Sequence, residues 1–86
     1  MNIPPMSFHY VYILQSVGSP AHYYVEFTAD LKQSLEEHNS GKLPNTARFK
    51  PWKVKSAHAF MDKDRALAFE RYLKSPSGRA FAKKRL

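Results

Sequence analysis

Two short tyrosine-bearing stretches decide the fold of this chain: Tyr10-Val11-Tyr12-Ile13-Leu14 and Tyr23-Tyr24-Val25-Glu26-Phe27. In both, successive side chains alternate between two faces and are mostly β-branched or aromatic, which is typical of a β-strand. We predict strands over residues 8–15 and 22–27. Because only a short loop joins them, the sequence predicts an antiparallel hairpin. If the two strands pair in register, Tyr12 and Tyr24 lie on one shared face.

The rest of the chain predicts three helices and one further strand. Asp30 is a candidate N-cap of a first helix that runs to about Asn39 and stops at Gly41. A loop punctuated by two prolines leads to a strand over residues 52–60. Asp62 caps a second helix through Lys74, Pro76-Ser77-Gly78 breaks the chain, and residues 79–86 form a short basic final helix. The predicted order of elements is β-β-α-β-α-α.

Composition limits the class of protein. With 86 residues, 43% of them hydrophobic, the chain is large enough for one small domain, which we place over residues 8–86 after a flexible leader over residues 1–7. The chain has no cysteine, which excludes a disulfide framework and a thiolate metal site and fits a cytoplasmic location. It has no apolar run long enough for a membrane span and no signal-peptide pattern, so no membrane partner is expected.

The positive charge of the chain is clustered. The net charge is +7, and 11 of the 14 basic residues fall in residues 42–55 and 71–86, which contain no acidic residue. Clustered positive charge attracts polyanions, of which nucleic acid is the commonest. Nucleic acid is therefore the predicted partner of this protein, which we expect to be a monomer, and the alternative is a basic surface that is only solvated.

Four side chains are candidates for chemistry, and each has a simpler structural alternative. Glu70 borders the apolar stripe of the second helix, where a carboxylate needs a cation or metal, or else forms a surface ion pair with Lys74 at i,i+4. Tyr12 and Tyr24 belong to a site or form an aromatic pair in the core. His38 lies on the apolar stripe of the first helix, where structural histidines are also common.

The order of these motifs resembles the GIY-YIG nuclease superfamily. The resemblance covers about residues 9–86. Within the superfamily, the chain is most similar to small stand-alone bacterial members, which are similar to the N-terminal nuclease domain of the UvrC repair protein. The resemblance implies an α+β fold (α/β in the broad sense) in which a three-stranded antiparallel sheet is flanked by about three helices. The residues that carry it are Tyr10-Val11-Tyr12, Tyr23-Tyr24-Val25, Asp30-Leu31, His38-Asn39-Ser40-Gly41, Pro51-Trp52-Lys53-Val54, residues 66–75 and Gly78-Arg79.

The resemblance implies metal-dependent hydrolysis of phosphodiesters in DNA repair or processing. Tyr12 and Tyr24 match tyrosines that orient and deprotonate the attacking water. His38 matches a histidine with an acid/base or phosphate-contacting role, and Glu70 matches the metal-binding glutamate. One carboxylate with waters and phosphate oxygens suits Mg²⁺ (or Mn²⁺). Beside the resemblance, the positive charge predicts phosphate contacts by a basic set made up of Arg48, Lys50, Lys53 and Arg71.

Two positions depart from the family pattern. Glu26 stands where the second motif normally ends in glycine, and it would place a negative charge near an incoming polyanion or else offer a second metal ligand. Ser34 stands where the family has a catalytic arginine, which stabilises charge on the transferred phosphoryl group. Loss of such a cation typically lowers the rate by about 10³–10⁵. We therefore expect hydrolysis that is weak or lost.

Three functions remain open from the sequence. The first is a nuclease-fold protein that acts on or binds DNA with weak turnover. The second is a catalytically inactive nucleic-acid-binding module, whose affinity would fall steeply as the salt concentration rises. The third, which the residues favour least, is a protein-interaction domain built on the same scaffold.

Overall fold

The computed structural model describes residues 7–86, so the predicted leader over residues 1–7 lies outside the described residues except for Ser7. The described chain forms three strands and four helices. No helix within it is long and apolar enough to cross a membrane. The elements are β1 (His9–Ser16), β2 (Tyr23–Thr28), α1 (Leu31–Ser40), α2 (Pro44–Ala47), β3 (Trp52–Phe60), α3 (Lys63–Lys74) and α4 (Pro76–Arg85).

The three strands form one antiparallel sheet in the order β2-β1-β3. The predicted hairpin is confirmed, since Tyr12 lies opposite Glu26 and Leu14 lies opposite Tyr24 in the β1–β2 register. This register places Tyr12 and Tyr24 on the same face as diagonal neighbours. β3 has the predicted bounds, and β1 and β2 each lie one residue later than predicted.

The two faces of the sheet build two small cores. On one face, Val11 and Ile13 of β1 pack with Ala66 and Leu73 of α3. On the other, Tyr12 and Leu14 pack with Trp52 of β3, beside apolar residues of α1. The alternation of β1 thus divides its side chains between two layers, and the predicted catalytic tyrosine belongs to the layer that carries α1 and α2.

The predicted N-caps are confirmed. The Asp30 side chain accepts a hydrogen bond of 3.0 Å from the Gln33 backbone N–H, and the Asp62 side chain accepts hydrogen bonds from the first turn of α3. Gly41 ends α1 at φ 81°, a left-handed conformation that favours glycine.

Two predictions about the connections were wrong. Residues 44–47 were expected to belong to a loop but form the short helix α2, and residues 76–78 were expected to break the chain but form the first turn of α4. In both cases a proline begins the helix, where its missing N–H removes no intrahelical hydrogen bond. Each proline was expected to mark a loop or a break in the chain, although it stands at the first position of a helix.

Gly78 fixes how α4 meets α3. A Cβ atom built on Gly78 would lie 1.6 Å from the backbone oxygen of Tyr72, so only glycine allows this close approach. Ser75 caps α4 through the Gly78 N–H at 3.1 Å. The turn between the two helices is therefore tight, and α4 is held against the end of α3.

Candidate active site

A buried hydrogen-bonded chain joins β1, α1 and α2. The Tyr12 hydroxyl lies 2.9 Å from Nε2 of His38, and Nδ1 of His38 lies 2.8 Å from Oγ1 of Thr46. All three side chains are at most 4% exposed. Because each ring nitrogen has a hydroxyl partner, the imidazole is held in one orientation between the strand and the short helix.

Burial controls the protonation of this chain. Desolvation raises the pKa of Tyr12 to about 12, assisted by the negative charge of Glu26. Desolvation also lowers the pKa of His38, against the attraction of Glu26 and Glu37. At neutral pH the phenol therefore keeps its proton and the imidazole is uncharged. A neutral imidazole can accept a proton from Tyr12.

A second chain of polar contacts lies at the edge strand β2. The Tyr24 hydroxyl donates to Oε2 of Glu26 at 3.0 Å, and the Phe27 N–H donates to Oε1 of the same carboxylate at 3.3 Å. Nζ of Lys74 lies 3.5 Å from Oε2 of Glu70, whose side chain is 14% exposed. β2 is one of the two edge strands of the sheet, and α3 packs against it, which places Glu70 on the side of the sheet edge that carries Glu26.

The two glutamates at this edge influence each other's ionisation. Desolvation opposes ionisation of Glu26, but hydrogen bonds from the Glu70 carboxyl, Tyr24 and the Phe27 N–H together lower its pKa. Desolvation and the hydrogen bond to Glu26 raise the pKa of Glu70, and the charge of Lys74 only partly offsets them. The two carboxyl groups therefore do not ionise independently, and the pKa shifts mean that Glu70 keeps its proton to higher pH than Glu26.

Ser34, which stands where the family pattern has an arginine, forms a hydrogen bond within the fold and supplies no positive charge. The Ser34 hydroxyl donates to Oγ1 of Thr28 at 2.6 Å and so ties α1 to the end of β2. Ser34 lines a cleft of ≈ 320 Å³ together with Tyr12, Tyr24, Glu26 and His38. No lysine or arginine of the described chain lines this cleft.

The structure brings the four predicted catalytic residues into two connected groups. Tyr12 and His38 are directly bonded, and the rings of Tyr24 and His38 lie 5.1 Å apart between centroids. Glu70 does not line the cleft but reaches it through Glu26. The predicted ion pair of Glu70 with Lys74 also forms. Glu70 therefore takes part in the surface ion pair and also acts on Glu26 at the site.

The predicted basic set lies away from the cleft. Arg48, Lys50, Lys53 and Arg71 are exposed, and none of the four lines the cleft within the described chain. The Arg48 guanidinium lies 5.4 Å from the centroid of the Phe49 ring. The structure therefore leaves this set free to contact a large ligand outside the cleft and gives it no place beside the tyrosines.

Sequence reasoning missed two members of the site. Thr46 forms a hydrogen bond with Nδ1 of His38, on the opposite side of the ring from Tyr12. It was missed because residues 44–47 were predicted to be part of a loop and not a helix. Lys74 was seen only as a partner of Glu70, although its charge also acts on Glu26. Its contribution depends on where α3 crosses the sheet edge, which no local pattern contains.

A comparison with protein families agrees with this geometry. Residues 8–85 match the GIY-YIG catalytic domain. The chain therefore belongs to the GIY-YIG family, a nuclease fold that acts on DNA, as the motif order predicted. No curated protein matches the chain in the corresponding search.

The residues of the edge fit a divalent ion of the kind that GIY-YIG nucleases use. Glu26 and Glu70 are both partly desolvated and each shifts the pKa of the other, so a nearby cation would favour the ionised form of both. The described residues contain no group of three or more potential protein ligands. Mg²⁺ commonly takes only one or two carboxylates and keeps several waters, so a pair of glutamates suits it.

Proposed function

We propose that the protein is a weak, metal-dependent endonuclease of the DNA repair or processing type, related in role to the UvrC nuclease domain. The observation that carries this proposal is the 3.0 Å hydrogen bond from Tyr24 to Glu26, which lies beside the Tyr12–His38 pair on one cleft, with Glu70 acting on the pKa of Glu26 from α3. A proton acceptor beside carboxylates that can hold a metal ion is an arrangement that supports hydrolysis of a phosphodiester.

The residues have separate roles in the proposed mechanism. Water attacks the phosphorus and gives one proton to the Tyr12 oxygen, while Tyr12 passes its own proton to Nε2 of His38. The bond from phosphorus to the leaving oxygen breaks, and the leaving oxygen takes a proton from solvent. Thr46 orients the imidazole so that Nε2 faces Tyr12. Tyr24 holds Glu26 in place through its hydroxyl.

Glu26 and Glu70 would hold the divalent ion. When bound, Mg²⁺ or Mn²⁺ supplies positive charge to a phosphate oxygen and to the leaving oxygen. Lys74 is the cation that already contacts this pair, and it limits the negative charge that an approaching phosphate meets. In the family pattern one glutamate binds the metal ion, whereas in this protein we propose that Glu26 and Glu70 bind it together.

Among residues 7–86, no lysine or arginine lines the cleft beside the tyrosines, and this is the reason for the weak turnover that we propose. Ser34 makes a short hydrogen bond to Thr28 and cannot stabilise the charge that develops on the phosphoryl oxygens. A transition-state arginine is typically worth about 10³–10⁵ in rate. We expect slow nicking that requires metal.

A plasmid-nicking assay with Mg²⁺ or Mn²⁺ tests this function. Wild-type protein should nick slowly with metal, Glu70→Gln should remove the activity, and Asp64→Asn should leave it unchanged because Asp64 lies in the first turn of α3. Rapid nicking that survives Glu70→Gln would show that another mechanism, or a contaminating nuclease, is responsible.

A catalytically inactive DNA-binding module is the second candidate, and the Ser34–Thr28 hydrogen bond is the observation that favours it. If wild-type protein shows no nicking but Ser34→Arg does, the second candidate is correct. If both nick and Ser34→Arg is faster, the first is correct. In both cases we propose a monomer in the cytoplasm that binds DNA in a salt-dependent way.

A further inference from the structure

A second surface, on the opposite side of the sheet from the tyrosine cleft, has the properties of a strand-binding groove. It consists of two adjoining hollows of ≈ 420 and ≈ 550 Å³ between β2 and the α3–α4 pair. Both are lined by Tyr23, Val25, Leu73 and Arg79, so they form one continuous groove, called here the α4 groove.

The charge of the α4 groove is uniform. Its lining includes Lys55, Lys74, Arg79 and Lys83, and within residues 7–86 its lining includes no aspartate or glutamate. A groove with charges of one sign above an apolar floor concentrates ligands of the opposite charge. The ligand that complements it is an anion with repeated charges and an apolar body.

Tyr23 gives this groove an aromatic surface. Tyr23 is 51% exposed, although large hydrophobic residues are usually buried. Nζ of Lys55 lies 5.0 Å from the centroid of the Tyr23 ring. Proteins that bind single-stranded nucleic acid combine a basic groove with exposed aromatic rings on which bases stack. A duplex offers its bases less readily, since they are stacked inside.

The α4 groove ends at the candidate active site. The larger hollow is also lined by Tyr24 and Lys74. The Tyr24 hydroxyl bonds to Glu26 and the Lys74 ammonium pairs with Glu70, so both side chains touch the carboxylate pair. A strand that lies in this groove would therefore pass round the edge of β2 toward the proposed point of cleavage.

We infer that the α4 groove binds a single-stranded arm of the nucleic acid substrate, with a base on Tyr23 and phosphates on Arg79 and Lys83. The preferred substrate is then a duplex with a single-stranded tail rather than a blunt duplex. This inference rests on the proposed function, because it assigns a substrate class to the same site.

Fluorescence anisotropy with a labelled blunt duplex and with the same duplex carrying a thymidine tail tests the inference. The tailed duplex should bind more tightly to wild-type protein, and Tyr23→Leu should weaken binding of the tailed duplex at least about fivefold while Tyr23→Phe does not. Neither change should alter binding of the blunt duplex. Melting temperatures of all variants confirm that they are folded.

Lys83 and Lys84 provide a matched pair on one helix. Both are exposed lysines of α4, but only Lys83 lines the groove. For the tailed duplex, Lys83→Ala should lower the slope of log affinity against log salt by about 0.7, the value for one single-strand phosphate, and Lys84→Ala should not. Equal effects of the two variants would overturn the inference.

The remaining outcomes separate the inference from the function on which it rests. If blunt and tailed duplexes bind equally, the α4 groove is not a strand site but DNA binding stands. If neither binds, both the inference and the proposed function fail. A glutamate-rich peptide that displaces the tail as well as a thymidine oligonucleotide does would also overturn the inference, since it would show docking of any acidic chain.

Discussion

Removal of one buried hydroxyl tests whether the Tyr12–His38–Thr46 chain is a real unit of the fold. In Tyr12→Phe the ring stays in the core and only the oxygen is lost. Nε2 of His38 then has no partner at 2.9 Å, in a residue that is 4% exposed. The variant therefore isolates the hydrogen bond without opening a large cavity.

The expected loss of stability follows from leaving this nitrogen unpaired. A buried polar group without a partner costs about 1–3 kcal/mol. In a domain of this size each kcal/mol lowers the melting temperature by about 4–8 °C. Because Tyr12 also carries the proton in the proposed mechanism, nicking should fall by about a hundredfold or more.

Thermal unfolding followed by circular dichroism measures this effect, with Tyr10→Phe as the control. Tyr10 is a half-buried tyrosine two residues earlier on the same strand, and its hydroxyl makes no hydrogen bond within the described residues. Tyr10→Phe should change the melting temperature little. If Tyr12→Phe is as stable as Tyr10→Phe, the buried chain contributes nothing and the account of His38 is refuted.

Three further outcomes are expected. Ser34→Arg should raise metal-dependent nicking at least about tenfold, because it restores a cation beside the tyrosines; an unchanged rate would show that the side chain does not reach the phosphate. Burial lowers the pKa of His38 below its usual 6.5, so its contribution to stability is complete above pH 6.5 and is lost as the pH falls, by at most about 1.4 kcal/mol per unit. His38→Gln should flatten that part of a pH–melting curve, and an unchanged curve would refute the assignment. Gly78→Ala should destabilise by about 1–3 kcal/mol or more through its clash with Tyr72, whereas Gly18→Ala, with open space around it, should be nearly neutral.

The sequence predicted the parts of the fold that depend on local patterns. Alternation in residues 8–15 and 22–27 placed Tyr12 and Tyr24 on one face, and the Asp30 and Asp62 caps marked the starts of two helices. The same logic failed at Pro44 and Pro76, since a proline is compatible with both the end of one element and the start of the next. Ser75, directly before Pro76, caps α4 and was a local signal of a helix start, whereas Leu43 before Pro44 has no capping side chain.

The site was predictable in its residues but not in its connections. Tyr12 and His38 were both singled out, yet their direct bond depends on the angle at which α1 crosses the sheet. Glu26 was singled out as a departure, but its mutual effect with Glu70 on their pKa values arises because β2 is an edge strand and α3 packs beside it. Strand order is a tertiary property, and no pattern within β2 or α3 contains it.

The carboxylate pair is the central claim, and a titration with Mn²⁺ followed by NMR tests it most directly. Bound Mn²⁺ broadens nearby signals, so the Phe27 amide, which donates to Glu26, should broaden first together with amides around Glu70. Glu70→Gln should abolish this broadening, and Glu37→Gln, which removes an exposed carboxylate from the same cleft, should preserve it. Signals that stay sharp in the wild-type protein, or broadening that persists in Glu70→Gln, would contradict the account.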